Sequence, residues 1–283
     1  MKNGVFANIS GRDEMRVKKD TSISLFYDMV ELMERLRGKD GCPWDKEQNH
    51  VTLKPYLVEE TYEVIDAIDS GIPDKLKEEL ADLFLQIIFH CQIAREKKEF
   101  DINDVMKLCL DKMMRRHPHV FGDSTASTSE EVVQQWEAIK KQEKGYEERK
   151  SAVDGLPKHL PALQKAQKVQ KKAAKVGFDW KDINDVIAKV EEEMEEVKEA
   201  IAKKETKDME EEIGDLLFSV VNLSRFLQFD TENILHKTIY KFVDRFKKIE
   251  KELASCGKDI EQCSIEELDA LWNKVKMNAR KNI

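Results

Sequence analysis

The 283-residue chain has few of the residues that build small disulfide-bonded folds, β-rich folds or nucleotide-cradling loops. Its five cysteines, Cys42, Cys91, Cys109, Cys256 and Cys263, form no C-x-x-C, and their odd number argues for reduced thiols. Prolines number 6, glycines 11, and aromatic residues make up 7%. No apolar run is long enough to span a membrane. The first twenty residues lack the hydrophobic segment of a secretory leader. Alternating Val/Ile/Thr runs between turns are absent, which excludes a β-rich fold. Neither G-x-x-x-x-G-K-[ST] nor G-x-G-x-x-G occurs, so no glycine loop cradles phosphates. There is no basic excess either. Lys+Arg total 48 against 56 Asp+Glu, giving a net charge of −8, which argues against general nucleic-acid binding.

Charge and helical periodicity dominate what is present. Charged residues make up 37% and the mean hydropathy is −0.60. Within Glu191–Phe218, Glu193 and Glu196 are three apart, as are Glu212 and Asp215. Side chains three apart share one helix face. Two such helices packed antiparallel would aim four carboxylates at one spot, and like charges in a partly dry site call for a hard divalent cation. The same pattern occurs earlier. Glu60, Glu63, Glu79 and Asp82 map onto Glu193, Glu196, Glu212 and Asp215 with one constant offset of 133. A single E-x-x-E reads by default as a solvated acidic face. Recurrence of four acids at a fixed offset instead indicates an internal duplication.

The expected architecture is all-α, a tandem repeat of helical bundles. Residues 1–22 read as a mobile extension, 23–145 as a first domain, 146–161 as a linker containing Gly155, Pro157 and Pro161, and 162–283 as a second domain. The first helix is expected at about Ser24–Arg37. Thr52 should cap the next, with Pro55 in its first turn, and Asp74 the third. Asp101 or Asn103 should open a fourth helix ending at RRHPHVFG. Thr128 or Ser129 should open a fifth, containing Trp136 and breaking at Gly145. The second half should place helices at about 162–175, 184–204, 207–228, 231–254 and 265–281. Gly41 and Trp44 in GCPW correspond to Gly177 and Trp180 in GFDW. On the 207–228 helix, Met209, Ile213, Leu216, Val220, Leu223 and Leu227 form the apolar stripe, with Glu212, Asp215, Ser219 and Asn222 beside it.

Carboxylate-only ligation suits Mg²⁺, with Mn²⁺ as a substitute, over zinc or iron. A di-iron bundle needs paired E-x-x-H motifs, and the one present, Glu47–His50, falls in a loop region. His117 and His119 flank Pro118 in a turn and suit local hydrogen bonds. Magnesium held by a few carboxylates usually shares its shell with substrate phosphates. Cations placed to help are Lys189, one turn before Glu193, and Lys241 with Arg245, whose first-half match is Lys112 with Arg116. The halves differ: Lys189 matches Tyr56, and Asn222 matches Phe89. The second half is therefore expected to carry most of the turnover.

The run E-E-x-x-E, fifteen residues, then E-x-x-D resembles the MazG family of nucleoside triphosphate pyrophosphohydrolases. So do GCPWDKEQ, RRHPHVFG, LPAL…AQKVQKKAAKVGFDW and DLLFSVVNL, together spanning about residues 24–278. The resemblance implies an all-α, Mg²⁺-dependent, usually intertwined homodimer that hydrolyses NTPs or dNTPs to the monophosphate and pyrophosphate. Such enzymes clear aberrant nucleotides or modulate nucleotide pools. It implies Glu193, Glu196, Glu212 and Asp215 as metal ligands, with Glu192 beside them in the catalytic set. It further implies Lys140, Lys189, Glu192, Lys241, Arg245, Trp272 and Lys276 as nucleotide or phosphate contacts. The expected location is the cytoplasm, with no nucleic-acid or membrane partner. The non-enzyme alternatives are a helical scaffold or regulator that binds metal–nucleotide without turnover, and a coiled-coil adaptor. The adaptor lacks sustained heptads.

Overall fold

A computed structural model describes residues 21–143 and 150–281, with side chains at 24–143 and 150–278. The expected extension at 1–22 falls almost wholly outside these residues, as does the break at Gly145. The described residues form twelve α-helices and one 3-10 turn, with no strand. The chain divides into two compact units, Met1–Tyr146 and Glu147–Ile283.

Unit 1 contains α1 (Thr21–Arg37), α2 (Pro43–Glu47), α3 (Lys54–Ser70), α4 (Pro73–Glu96), α5 (Ile102–Arg116), α6 (Pro118–Phe121) and α7 (Ser129–Lys141). Its core is Met33 of α1, Leu53, and Ile88, Phe89 and Ile93 of α4. Two expected caps are corrected. The Thr52 hydroxyl is engaged in the preceding turn, accepting from Asn49 N at 2.9 Å and donating to Asn49 O, so α3 begins after Leu53. Asp74 lies inside the first turn of α4, bonded by Lys77 at 2.7 Å, and the N-cap is Ile72. Pro73 occupies the first turn, where its missing N–H costs nothing, and so shifts the start upstream. Asp101 caps α5 and its own N–H donates in return to the Asp104 carboxylate, and Thr128 caps α7. His117 Nδ1 lies 2.6 Å from Met113 O, a local bond.

Unit 2 contains α8 (Ala162–Lys175), α9 (Ile183–Lys203), α10 (Thr206–Phe226), α11 (Thr231–Ser255), the 3-10 turn Ile260–Gln262 and α12 (Ile265–Lys281). The α9–α10 hairpin repeats the α3–α4 hairpin down to its turn. Gly71 (φ 65°) donates to Ile68 O, and Lys204 (φ 59°), 133 residues on, donates to Ile201 O. Both close their helix in the left-handed conformation that satisfies an orphan carbonyl. The matched glycines of the two loops are needed for different reasons. Gly177 has φ +91°, whereas a Cβ on Gly41 would collide with the Leu36 carbonyl.

The stripe expected on α10 is split: Met209, Leu216 and Leu223 are half-buried, and the other half is turned outward. Ile213, Val220 and Leu227 are exposed, while Ser219, Val221 and Ser224 are buried. The small serines let α8 approach the polar side of α10, where Gln170 of α8 reaches the Phe218 carbonyl at 2.8 Å. No helix among the described residues is long and apolar enough to cross a membrane.

Candidate functional site

The α9–α10 hairpin brings Glu193, Glu196 and Glu212 together. One carboxylate oxygen from each lies within 4.8 Å of the others. In unit 1 the α3–α4 hairpin gathers Glu60, Glu79 and Asp82 within the same distance. Each set is three of the expected four, and the outlier differs: Glu63 in unit 1, Asp215 in unit 2. Both outliers remain electrostatic neighbours, since Glu63 raises the pKa of Glu79 and Asp215 that of Glu212, each after the larger effect of burial. Burial and then Glu193 likewise raise Glu196, and burial and then Asp82 raise Glu60. Crowded carboxylates with elevated pKa values and oxygen-only donors fit a hard divalent cation, and neither cluster contains a histidine.

Lys189 lies one turn before Glu193 and binds it at 2.7 Å, while also binding Glu192 at 2.9 Å. Glu193 is only 5% exposed, so this ammonium compensates a buried carboxylate. Bonds to Glu193 and Glu192 raise the Lys189 pKa above its ordinary value. Glu192 sits on the outer side of α9 and lines a shallow groove with Met194 and Lys198.

Lys189, Glu193 and Asp215 are among the residues lining a cavity of about 520 Å³. Its other walls include Gln170, Phe178, Trp180, Phe218, Asn222 and Arg225. These are residues that sequence reasoning left out of the site, apart from the match of Asn222 to Phe89. Their signal was present in the GFDW loop and in the polar stripe of α10, but nothing local tied them to the acids. Arg225 anchors the loop by a forked bond to Asp179 and donates through Nε to Asn222 Oδ1 at 2.9 Å. That pairing holds the Asp179 carboxyl below its usual pKa.

Unit 1 is built differently at the matched positions. Tyr56, in place of Lys189, packs edge-on to Trp44 at 5.9 Å. Phe89, in place of Asn222, is 4% exposed, and the Arg37 guanidinium sits 5.4 Å from its ring centroid. Arg37 is itself tied to Glu96 at 2.7 Å. A smaller cavity in unit 1, about 190 Å³ and lined by Cys91, Arg95 and Asp101, touches none of the four acids.

The remaining expected nucleotide contacts do not line the unit 2 cavity. Lys241 and Arg245 lie on α11, Trp272 and Lys276 on α12, and Lys140 is exposed on α7 of unit 1. Trp272 packs beside a small core of Ile249, Leu253 and Val275. Phe242 lies 5.0 Å from its ring, and the Arg245 guanidinium 5.6 Å.

Comparison with known proteins agrees with this arrangement. Residues 48–121 and 182–250 match the profile described as MazG nucleotide pyrophosphohydrolase domain, one segment in each unit and each containing one acidic hairpin. The chain is 50% identical over 252 residues to the nucleoside triphosphate pyrophosphohydrolase/pyrophosphatase MazG of Thermotoga maritima, covering 89% of this chain and 96% of that protein. It is 45% identical over 253 residues to the nucleoside triphosphate pyrophosphohydrolase of Escherichia coli, covering 88% and 95%. It is also 44% identical to the uncharacterized protein YabN of Bacillus subtilis, of which the matched region covers 51%. With two acidic helical hairpins, a matching profile over both and relatives aligned along most of their length, the chain belongs to the MazG nucleotide pyrophosphohydrolase family.

Proposed function

We propose that this protein hydrolyses nucleoside triphosphates to the monophosphate and pyrophosphate with Mg²⁺ or Mn²⁺, using unit 2 as its main site. The observation that carries this reading is the Glu193–Glu196–Glu212 oxygen cluster beside Lys189, with Glu193 and Lys189 lining the 520 Å³ cavity. The printed names of the Thermotoga and Escherichia relatives support the reaction. Glu193, Glu196 and Glu212 would hold the cation, with Asp215 as a fourth acid. Glu60, Glu79 and Asp82, with Glu63 nearby, would hold one in unit 1. A bound divalent cation supplies charge neutralisation and Lewis acidity toward phosphate oxygens.

The chain's own groups do the rest. Water forms a bond to the α-phosphorus, the bond to the oxygen bridging the β-phosphorus breaks, and pyrophosphate leaves. A carboxylate of the acidic set accepts the proton released by the water. Lys189 exchanges a carboxylate for a phosphate oxygen, placing an ammonium where negative charge develops. Lys241 and Arg245 serve the phosphates across a homodimer, with Glu192, Trp272 and Lys276 as outer contacts. The homodimer is supported by apolar side chains left uncovered along the unit 2 helices, among them Ile187, Met194, Leu217, Ile239 and Phe246. Free thiols and a strongly charged surface suit the cytoplasm, where such an enzyme would clear aberrant nucleotides or adjust nucleotide pools.

The test is pyrophosphate release from a mixed NTP pool. Chelator should abolish it and Mg²⁺ or Mn²⁺ restore it; full activity in chelator refutes the metal reading. Metal-dependent nucleotide binding without release would favour the regulatory alternative. A fully active monomer at micromolar concentration in sedimentation would refute the dimer.

A further inference from the structure

Two buried glutamines on α8 differ in one respect. Gln167 is satisfied at both ends, its Nε2 donating to Phe229 O and its Oε1 accepting from Thr231 N at 3.2 Å. Gln170, one turn later and 8% exposed, uses only its Nε2, which donates to Phe218 O at 2.8 Å. Its Oε1 is buried and has no partner among the described residues. The amide cannot flip to relieve this, because Oε1 would then face the Phe218 carbonyl. A buried acceptor left unpaired costs about 1–3 kcal/mol and requires an explanation. Gln170 lines the same cavity as Lys189 and Glu193.

Asn222 lines that cavity too. Its Oδ1 accepts from Arg225 Nε, and Arg225 is clamped in turn by Asp179. The orientation of the Asn222 amide is thereby fixed, and its Nδ2 donates to no protein group among the described residues. The cavity therefore holds one positioned acceptor and one positioned donor. Phe178 and Trp180 flank it, 83% and 43% exposed, and neither stacks on another ring among the described residues. Flat apolar walls with a fixed acceptor and donor match a heteroaromatic ring with a polar edge, and side-chain amides read nucleobase edges in this way.

We infer that the cavity is the nucleobase subsite, with Gln170 Oε1 accepting from a base N–H and Asn222 Nδ2 donating to the adjacent base acceptor. The inference rests on the reading of unit 2 as the hydrolytic site. It adds that this protein distinguishes bases by hydrogen bonding as well as gripping the triphosphate. Unit 1 lacks the donor, since Phe89 occupies the matched position within the core.

The test uses the full-length protein with Mg²⁺, the four common NTPs and ribose 5-triphosphate, which has no base. The wild type should prefer its best NTP over the baseless compound by on the order of 100-fold in kcat/KM, the range in which paired polar groups discriminate. Gln170→Met should reduce that preference about tenfold, mainly through KM. Gln167→Met, which removes two satisfied structural bonds, should leave the preference intact. Asn222→Asp keeps an oxygen for Arg225 and exchanges the donor for an acceptor. It should shift the CTP-to-UTP ratio of kcat/KM by about tenfold, because these bases carry opposite groups on that edge. These ratios are internal to each variant, so a partial loss of folded protein cancels. A CTP-to-UTP ratio within twofold of wild type in Asn222→Asp, or an unchanged baseless ratio in Gln170→Met, overturns the inference while leaving the hydrolytic reading intact. A wild type that releases no pyrophosphate from any NTP overturns the hydrolytic reading and the subsite with it.

Discussion

Lys189 Nζ sits 2.7 Å from Glu193 Oε1, joining a cation of the cavity wall to the most buried carboxylate of the acidic cluster. The pair is local, four residues apart on α9, yet it does what a metal ion would do. It offsets charge that the hairpin has drawn out of water. In unit 1 the matched residue is Tyr56, so Glu60 has no such partner on its own helix.

Stability without metal should therefore depend on Lys189. In chelator, Lys189→Met should lower the stability of unit 2 by about 1–3 kcal/mol, because Glu193 is left buried with an unpaired charge. Saturating Mg²⁺ should restore most of the loss. Native-state hydrogen exchange along α9 and α10 reads both effects; equal loss with and without Mg²⁺ would refute the substitution of one charge by the other.

Removal of a ligand separates the halves. Glu193→Ala or Asp215→Ala should reduce pyrophosphate release by on the order of 100-fold or more. Glu60→Ala or Asp82→Ala should retain most of it while the helical circular dichroism is unchanged. Equal losses from folded variants of the two units would place turnover in both.

Phe89 tests the filled position in unit 1. It packs with Met33, Leu53, Ile88 and Ile93, so Phe89→Ala should cost about 3–5 kcal/mol through lost transfer energy and a cavity. The loss should appear as faster amide exchange in α1 and α4. Little change in exchange would mean that the surrounding side chains collapse into the space.

The acid response of unit 1 should centre on Glu143. Arg116 and then Arg115 bind its carboxylate and depress its pKa from 4.5 to about 2. A depressed carboxylate contributes stability above pH 4.5 that is lost as pH falls through the folded value. Wild-type protection of α5 and α7 should thus weaken between about pH 4.5 and 2. Glu143→Gln should be less protected already at neutral pH and show a flatter decline. Identical pH profiles would exclude the pair as the cause.

Lys204 closes α9 with φ 59°, where unit 1 uses Gly71. Lys204→Gly should stabilise the α9–α10 hairpin by on the order of 1 kcal/mol, because a side chain is strained in the left-handed region. The melting temperature of the Mg²⁺-free protein checks this; a fall would mean that the lysine makes a compensating contact.

Much of this was legible in the chain because it is local. Helical periodicity fixed the bundle class, and the 133-residue offset fixed the duplication, down to the matched turns at Gly71 and Lys204. The pairing of Lys189 with Glu193 follows from four-residue spacing on one helix. The caps at Thr52 and Asp74 were misread because their side chains had alternative partners within three residues, Asn49 and Lys77, that satisfied them equally well.

What only the tertiary structure decided depends on how helices cross. Spacing put Glu212 and Asp215 on one face of α10, but the approach of α9 chose Glu212 for the oxygen cluster and left Asp215 on the cavity wall. The approach of α8 to Ser219 and Ser224 buried the polar side of α10 and left Ile213, Val220 and Leu227 facing outward. The same approach put Gln170 on the wall of the cavity that Asn222, fifty-two residues away, also lines. Periodicity gives each helix its faces; the neighbour that a face meets is set by packing between segments distant in the chain, and it is that packing which joined an acidic hairpin to a cavity with hydrogen-bonding groups of its own.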